Sequence, residues 1–349
     1  MGFKIERKPW GTYNHKHVEL ISLQAGTGKG EISLTNYGAR IVSVKVPDRK
    51  GVIGEITLGH NRLQGYLSEK SYFGCTTGRV ANRIAGAVFD LDDRTYHLSK
   101  NNLDKHHLHG GLEGFDAKVW DIKDIEERAD MANVTFAYTS RDDEEGYPGN
   151  LSTEVKFSVS EYQIEISYAA RTDKPTIVNL TNHAYWNLAG TGTKVNGHQV
   201  AILASRYLET DSETIPTGRI LSLEGTPLDF REVKPLRNAL ETLGGIDHNY
   251  LLDKGSKFGL AAQVYEPRTG RKMTVETDQP LIVFYTGNYL EGWNAWGNPC
   301  MRHQALCLEA QQFTDAVHHP EFPSIVLRPP ETYNQVTRYR FTTDLSRVL

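Results

Sequence analysis

The sequence predicts an all-β chain, a large antiparallel β-sandwich with few short helices, and three observations carry that expectation. Apolar residues recur with a period of two far more often than with a helical period. The 31 glycines and 14 prolines are spread between the alternating runs, where turns need them. Segments that read as helical are few and short, as a sandwich requires.

Taken in order, Ile32 and Leu34 alternate with polar neighbours, and a turn is expected near Asn36, Tyr37 and Gly38. The chain then alternates again at Val42, Val44 and Val46. Val134, Phe136 and Tyr138 form a third run. Val155, Phe157 and Val159, a short polar turn, and Ile164, Ile166 and Tyr168 read as a hairpin of half-buried strands. Around Arg231 to Leu243 the pattern turns helical. No linker, repeat or low-complexity block divides the chain, so residues 1–349 are expected to form one domain.

Composition excludes several function classes. Of 349 residues, 23% are charged and the net charge is -4, with no run of like charges, so the basic footprint of a nucleic-acid binder is missing. No apolar stretch is long enough to span a membrane, and the first residues lack the apolar core of a secretory signal. Three cysteines, Cys75, Cys300 and Cys307, make no disulfide framework. The expected compartment is the cytoplasm.

Chemistry concentrates in a few segments. In NLTNHAYWNL, read as a strand, Asn179, Thr181, His183, Tyr185 and Asn187 share one face. Amides, hydroxyls, a phenol and an imidazole together suit a polyhydroxylated ligand, or else form a satisfied internal network. In LCLEAQQF, Glu309 lies between Leu308 and Ala310. It is then either exposed at a strand edge, the reading local sequence favours, or held in a desolvated pocket with a raised pKa. In HHLHGG, His107 and His109 share a face if the segment is a strand, but no matching Cys or carboxylate spacing completes a zinc signal. GRVANRI brings Asn82 and Arg83 together, for sugar hydroxyls or for a surface ion pair. GGIDHNYLL sets Asp247 and His248 after two glycines, as an Asx turn would also do.

Together these segments resemble the aldose 1-epimerase family, the galactose mutarotases. The matching stretches are NYGARI, FGCTTGRVANRIAG, LHGGLEGFD, EGYPGNL, NLTNHAYWNLAG, DHNYLL, FYTGN and LCLEAQQFTDAVHHPEFPS, in the family's order. The resemblance runs from about residue 36 to residue 340. It implies a single large β-sandwich and a mutarotase that interconverts the α and β anomers of an aldohexose such as galactose or glucose. Glu309 matches the catalytic base and His183 the catalytic acid. His109 matches a second histidine that holds and polarises the sugar. Asn82, Arg83 and Asp247 match hydroxyl-binding residues, and Tyr185 follows the acid on the same strand face. One departure is Val283, where some animal members carry Gln. Adjacent strand residues face opposite ways, so Asn82 and Arg83 can both reach sugar only at a turn or bulge.

The implied chemistry is ring opening and reclosure by an ionised Glu309 and a protonated His183, with no metal or other cofactor. The expected partner is the sugar alone, without nucleic acid or membrane, and the chain is expected to be a monomer or weak homodimer. A lectin-like module would lack the acid–base pair. An enzyme for hexose 6-phosphates would need an extra Arg or Lys cluster, which the motifs do not show. A glycoside hydrolase would need two catalytic carboxylates, and Asp247 is the only obvious second one.

Overall fold

The computed structural model describes residues 2–343. Its strands build three large antiparallel sheets. Lys4–Tyr13, Lys16–Gln24, Glu31–Thr35, Arg40–Pro47 and Ile53–Glu55 follow one another in a five-stranded meander. A nine-stranded sheet runs Asp121–Glu127, Ala132–Ser140, Leu151–Ser160, Gln163–Thr172, Tyr333–Thr342, Lys272–Thr277, Gly259–Tyr265, Gln199–Ile202 and Lys234–Pro235. A second five-stranded sheet runs Pro216–Ser222, Ala204–Thr210, Asp247–Leu252, Leu281–Tyr285 and Cys307–Gln311.

One apolar core joins all three sheets. Ile21, Leu23, Ile32 and Leu34 reach it from the first, Val155, Phe157, Ile164 and Ile166 from the second, and Tyr250, Ile282, Phe284 and Leu308 from the third. The expected hairpin is present, with Val159 opposite Ile164, Phe157 opposite Ile166 and Val155 opposite Tyr168. Period-two alternation puts each of these side chains on the core side. The earlier pair of strands departs from the expected alternation at one residue. Ser33 opposes Ser43 and Leu34 opposes Ile41, so Val42 is skipped at a bulge. The expected helix is shorter than its pattern and spans Leu236–Leu243. Pro235 keeps the preceding residue extended, and Gly244, at φ 71, closes the last turn by donating to the Leu240 carbonyl. Among the described residues no helix is long and apolar enough to cross a membrane.

Candidate active site

The second five-stranded sheet has two unlike faces. Tyr250, Leu252, Ile282, Phe284 and Leu308 point into the common core. Their neighbours point the other way, where Asp247 pairs with Tyr285, Tyr285 with Cys307, and Val283 with Glu309. Asp247, Val283, Tyr285 and Glu309 thereby line one cavity of about 450 Å³. The cavity also takes Asn82, Arg83, His109, His183 and Tyr185. The seven residues matched by the family resemblance, Asn82, Arg83, His109, His183, Tyr185, Asp247 and Glu309, meet there.

Glu309 is buried, with 2% of its surface exposed. The exposed-edge reading of the sequence is therefore wrong. Its strand ends the sheet, paired with Leu281–Tyr285 on one edge. The other edge is met by residues 179–186 through the Trp186–Leu306 bridge and the Asn179–Gln312 hydrogen bonds, while His109 and His183 come to its open face. Burial raises its pKa well above the usual carboxyl range, the Asp247 carboxylate raises it further, and Arg83 opposes both. One carboxylate oxygen, Oε2, has no hydrogen-bond partner.

His183 arrives on a segment that is only briefly a strand. Thr181–Asn182 pairs with Thr76–Thr77, the His183 amide donates to the Cys75 carbonyl at 2.9 Å, and Trp186 bridges to Leu306. The ten-residue strand expected from the sequence is replaced by an irregular path buried on every side. Two of its amides hold that path. Asn179 bonds the Gln312 main chain in both directions, and Asn187 donates to the Thr193 and Gln304 carbonyls. From that row only His183 and Tyr185 reach the cavity, so the internal-network reading holds for the amides. The His183 ring stacks on Tyr185 at 4.9 Å and on Tyr72 at 5.8 Å between centroids. Its Nε2 stands 3.5 Å from Glu309 Oε1, and its Nδ1 lies 3.6 Å from the Cys307 sulfur.

Desolvation pushes the His183 pKa down to about 4. These shifts oppose the expected pairing of an ionised Glu309 with a protonated His183. A low-dielectric cavity prefers both groups uncharged.

His107 and His109 do not share a face. The strand is only His107–Leu108, and His109 turns into the left-handed region at φ 52. His107 is spent on the Ser99 carbonyl and the Tyr147 hydroxyl, each at 2.7 Å, while His109 lines the cavity. Gly110 follows at φ 91, and a Cβ there would lie 1.7 Å from the Gly78 carbonyl oxygen. Only glycine fits.

Asn82 and Arg83 reach the cavity together because Asn82 is also left-handed, at φ 64. That break in alternation is the turn the sequence argument required. Arg83 Nη2 sits 4.0 Å from Asp247 Oδ2, and Nε donates to Asn102 Oδ1 at 3.3 Å. Asp247 opens a strand (Asp247–Leu252), so the Asx-turn reading fails.

Ligand atoms of His109, His183 and Glu309 lie within 4.8 Å of one another. Two imidazoles and a carboxylate are a donor set that zinc uses. Sequence spacing could not suggest it, since the three come from three distant segments. The Asn82 amide already occupies His109 Nδ1, at 3.1 Å.

The family model for aldose 1-epimerase matches residues 19–340. The chain belongs to the aldose 1-epimerase family. It is 38% identical to a galactose mutarotase of Homo sapiens over 93% of this chain and 94% of the other. It is 35% identical to an aldose 1-epimerase of Escherichia coli K12, covering 93% and 95%. A solved galactose 1-epimerase from Lactobacillus acidophilus superposes with a TM-score of 0.85 at 25% identity, over 97% of this chain and 99% of that one.

In this aldose 1-epimerase family member the sequence reading missed part of the wall. Tyr72, Asn102, Tyr289 and Trp293 also line the cavity, and so does Lys70, a cation three residues before the quoted FGCTTGRVANRIAG that the sequence reading passed over. Tyr285 lies within the quoted FYTGN, but only the strand register shows that it shares a face with Glu309. Tyr289 and Trp293 stand in the irregular stretch after that strand, where no periodicity marks a facing side.

Proposed function

We propose that this chain is an aldose 1-epimerase that interconverts the α and β anomers of an aldohexose such as galactose or glucose. The observation that carries this is the buried meeting of Glu309 and His183, 3.5 Å apart, in a cavity ringed by Arg83, Asp247 and His109. Glu309 takes the proton of the C1 hydroxyl as the C1–O5 bond breaks, and His183 gives a proton to O5. The open-chain aldehyde rotates about C1–C2. O5 then attacks the other face of the carbonyl, returning its proton to His183 while Glu309 gives one back to O1.

The pair needs one mobile proton between its two members. Sugar hydroxyls donating to Glu309 favour its ionised form and offset the desolvation that opposes it in the empty site. Arg83 and Asp247 bind other hydroxyls, and His109 and Asn82 complete the cradle. Tyr185 holds the plane of the His183 ring. The reading calls for no cofactor, and every group comes from one chain, so a monomer or weak homodimer suffices. We also assign the protein to the cytoplasm, which its three free, buried cysteines support.

The test is polarimetry on freshly dissolved α-galactose, α-glucose and a panel of other aldoses. Anomerisation should speed up in proportion to protein added. Sugar binding without acceleration would make the chain a lectin-like module, and cleavage of an aryl glycoside would make it a hydrolase.

A further inference from the structure

Asn82 and His109 are tied to each other in both directions. The His109 amide donates to the Asn82 carbonyl at 3.0 Å, and the Asn82 amide donates to Nδ1 of the His109 ring at 3.1 Å. A main-chain N–H can only donate. Nδ1 is therefore the bare nitrogen, and the hydrogen of the neutral imidazole sits on Nε2.

The surroundings hold this arrangement firmly. Asn82 and His109 are both left-handed, a conformation that persists for such residues only where neighbours fix it. Asn82 Oδ1 accepts from the Arg83 amide at 2.9 Å. The His109 ring, with 7% of the residue exposed, packs on Tyr72 at 4.9 Å and edge-on to His183 at 5.0 Å. Protonating His109 would set a ring N–H against the Asn82 N–H and break that bond. Burial, His183, Arg83 and His107 already oppose a positive charge on it.

His183 is built differently. Among the described residues no main-chain amide donates to its ring. Its Nδ1 faces the Cys307 thiol, which can donate or accept, and its Nε2 faces Glu309. Of the two histidines lining the cavity, only His109 has a ring nitrogen held bare by a main-chain donor.

We infer that the Asn82 main-chain amide locks His109 as the neutral Nε2–H tautomer, so that His109 donates a hydrogen bond to the substrate and never transfers a proton. This deepens the mutarotase reading and rests on it for its catalytic meaning. Asn82 is then a positioning residue acting through its main chain. The fixed N–H serves an oxygen that gains negative charge as the ring opens, without reorganising during the reaction. Proton traffic is left to Glu309 and His183.

The experiment uses full-length protein labelled with 15N-histidine, followed by NMR from about pH 5 to about pH 9, the range in which an ordinary histidine titrates. The His109 resonances, assigned by their loss in His109→Gln, should show a protonated Nε2 and a bare Nδ1 throughout, without titrating. Asn82→Gly keeps the amide and tolerates the left-handed backbone, so the tautomer should persist. In anomerisation assays His109→Gln, whose side-chain amide still offers an N–H, should stay within about tenfold of wild type. His109→Ala should fall by roughly a hundredfold or more, within the range of a positioned hydrogen-bond donor. An Nδ1–H signal, a titrating His109, or a Gln variant no better than Ala would overturn the inference. A wild-type protein that does not accelerate anomerisation would sink the mutarotase reading and leave the tautomer result standing.

Discussion

The Nε2 of His183 and Oε1 of Glu309 lie 3.5 Å apart, each side chain almost wholly buried. That distance is too long for a strong direct hydrogen bond and short enough for each group to feel the other's charge. Their opposed shifts, Glu309 up and His183 down to about 4, disfavour the charged form of each.

His183→Asn should lower turnover by roughly a hundred- to ten-thousand-fold, the usual contribution of a positioned proton donor. Asn keeps a hydrogen-bonding group against Tyr185 and Tyr72, so sugar affinity should change far less. Initial rates and sugar titrations on the same preparation check this. A variant within a few-fold of wild type would remove His183 from the proton path.

Glu309→Gln keeps the size and removes the basicity. It should bind sugar and be nearly inactive at every pH. It should also be more stable than wild type at neutral pH. A carboxyl whose folded pKa is raised contributes stability below its unfolded value of about 4.5, and loses it as pH rises through the folded value. Wild type carries that loss at pH 7 and Gln does not. Thermal melting across pH should show an advantage for Gln at neutral pH that closes in acid. An equal or lower melting temperature at neutral pH would show that Glu309 is not desolvated.

Arg79 anchors the segment that carries Asn82 and Arg83. Fully buried, it donates to Ser140 Oγ at 2.8 Å and to the carbonyls of Pro148, Ser140, Arg141 and Gly149 at 2.7–3.0 Å. Arg79→Met strips several buried acceptors of their donors and should lower the unfolding free energy by about 2–4 kcal/mol. Arg79→Lys should recover little, since an ammonium cannot span that fork of acceptors. Urea unfolding measures both. A Met variant within about 0.5 kcal/mol of wild type, the range of an ordinary surface change, would deny Arg79 this anchoring role.

The strands were legible where one face is apolar over a whole run, as in the hairpin of Val155 to Tyr168. The site was legible as residue types and less so as geometry. Leu308 and Ala310 beside Glu309 are compatible with an edge or a pocket. What decides is the cover of Tyr72, Asn82, His109 and His183 brought over it from far along the chain. His107 and His109 have the spacing of one strand face, yet a single left-handed residue sends them to different places. The amides of NLTNHAYWNL look like ligand groups because sequence cannot show that Gln304 and Gln312 already use two of them.

The last prediction concerns the two charged neighbours of Glu309. In the proposed mechanism the active pair carries one proton. With Glu309 raised and His183 lowered the last proton leaves from Glu309, so the alkaline limb of kcat/KM follows the Glu309 pKa. Burial lifts that value, Asp247 lifts it further, and Arg83 lowers it. The alkaline limb of wild type should therefore lie where a carboxyl raised well above its ordinary range loses its proton. Asp247→Asn removes a like charge and should move the limb to lower pH. Arg83→Gln removes the opposing positive charge and should move it to higher pH. Under the proposed function both substitutions also remove a sugar contact and raise KM, but a lost contact alone scales the profile without displacing it. Opposite displacements are thus the signature of electrostatic coupling to Glu309. Profiles that shrink without moving, or that move the same way in both variants, would mean that the alkaline limb belongs to another group.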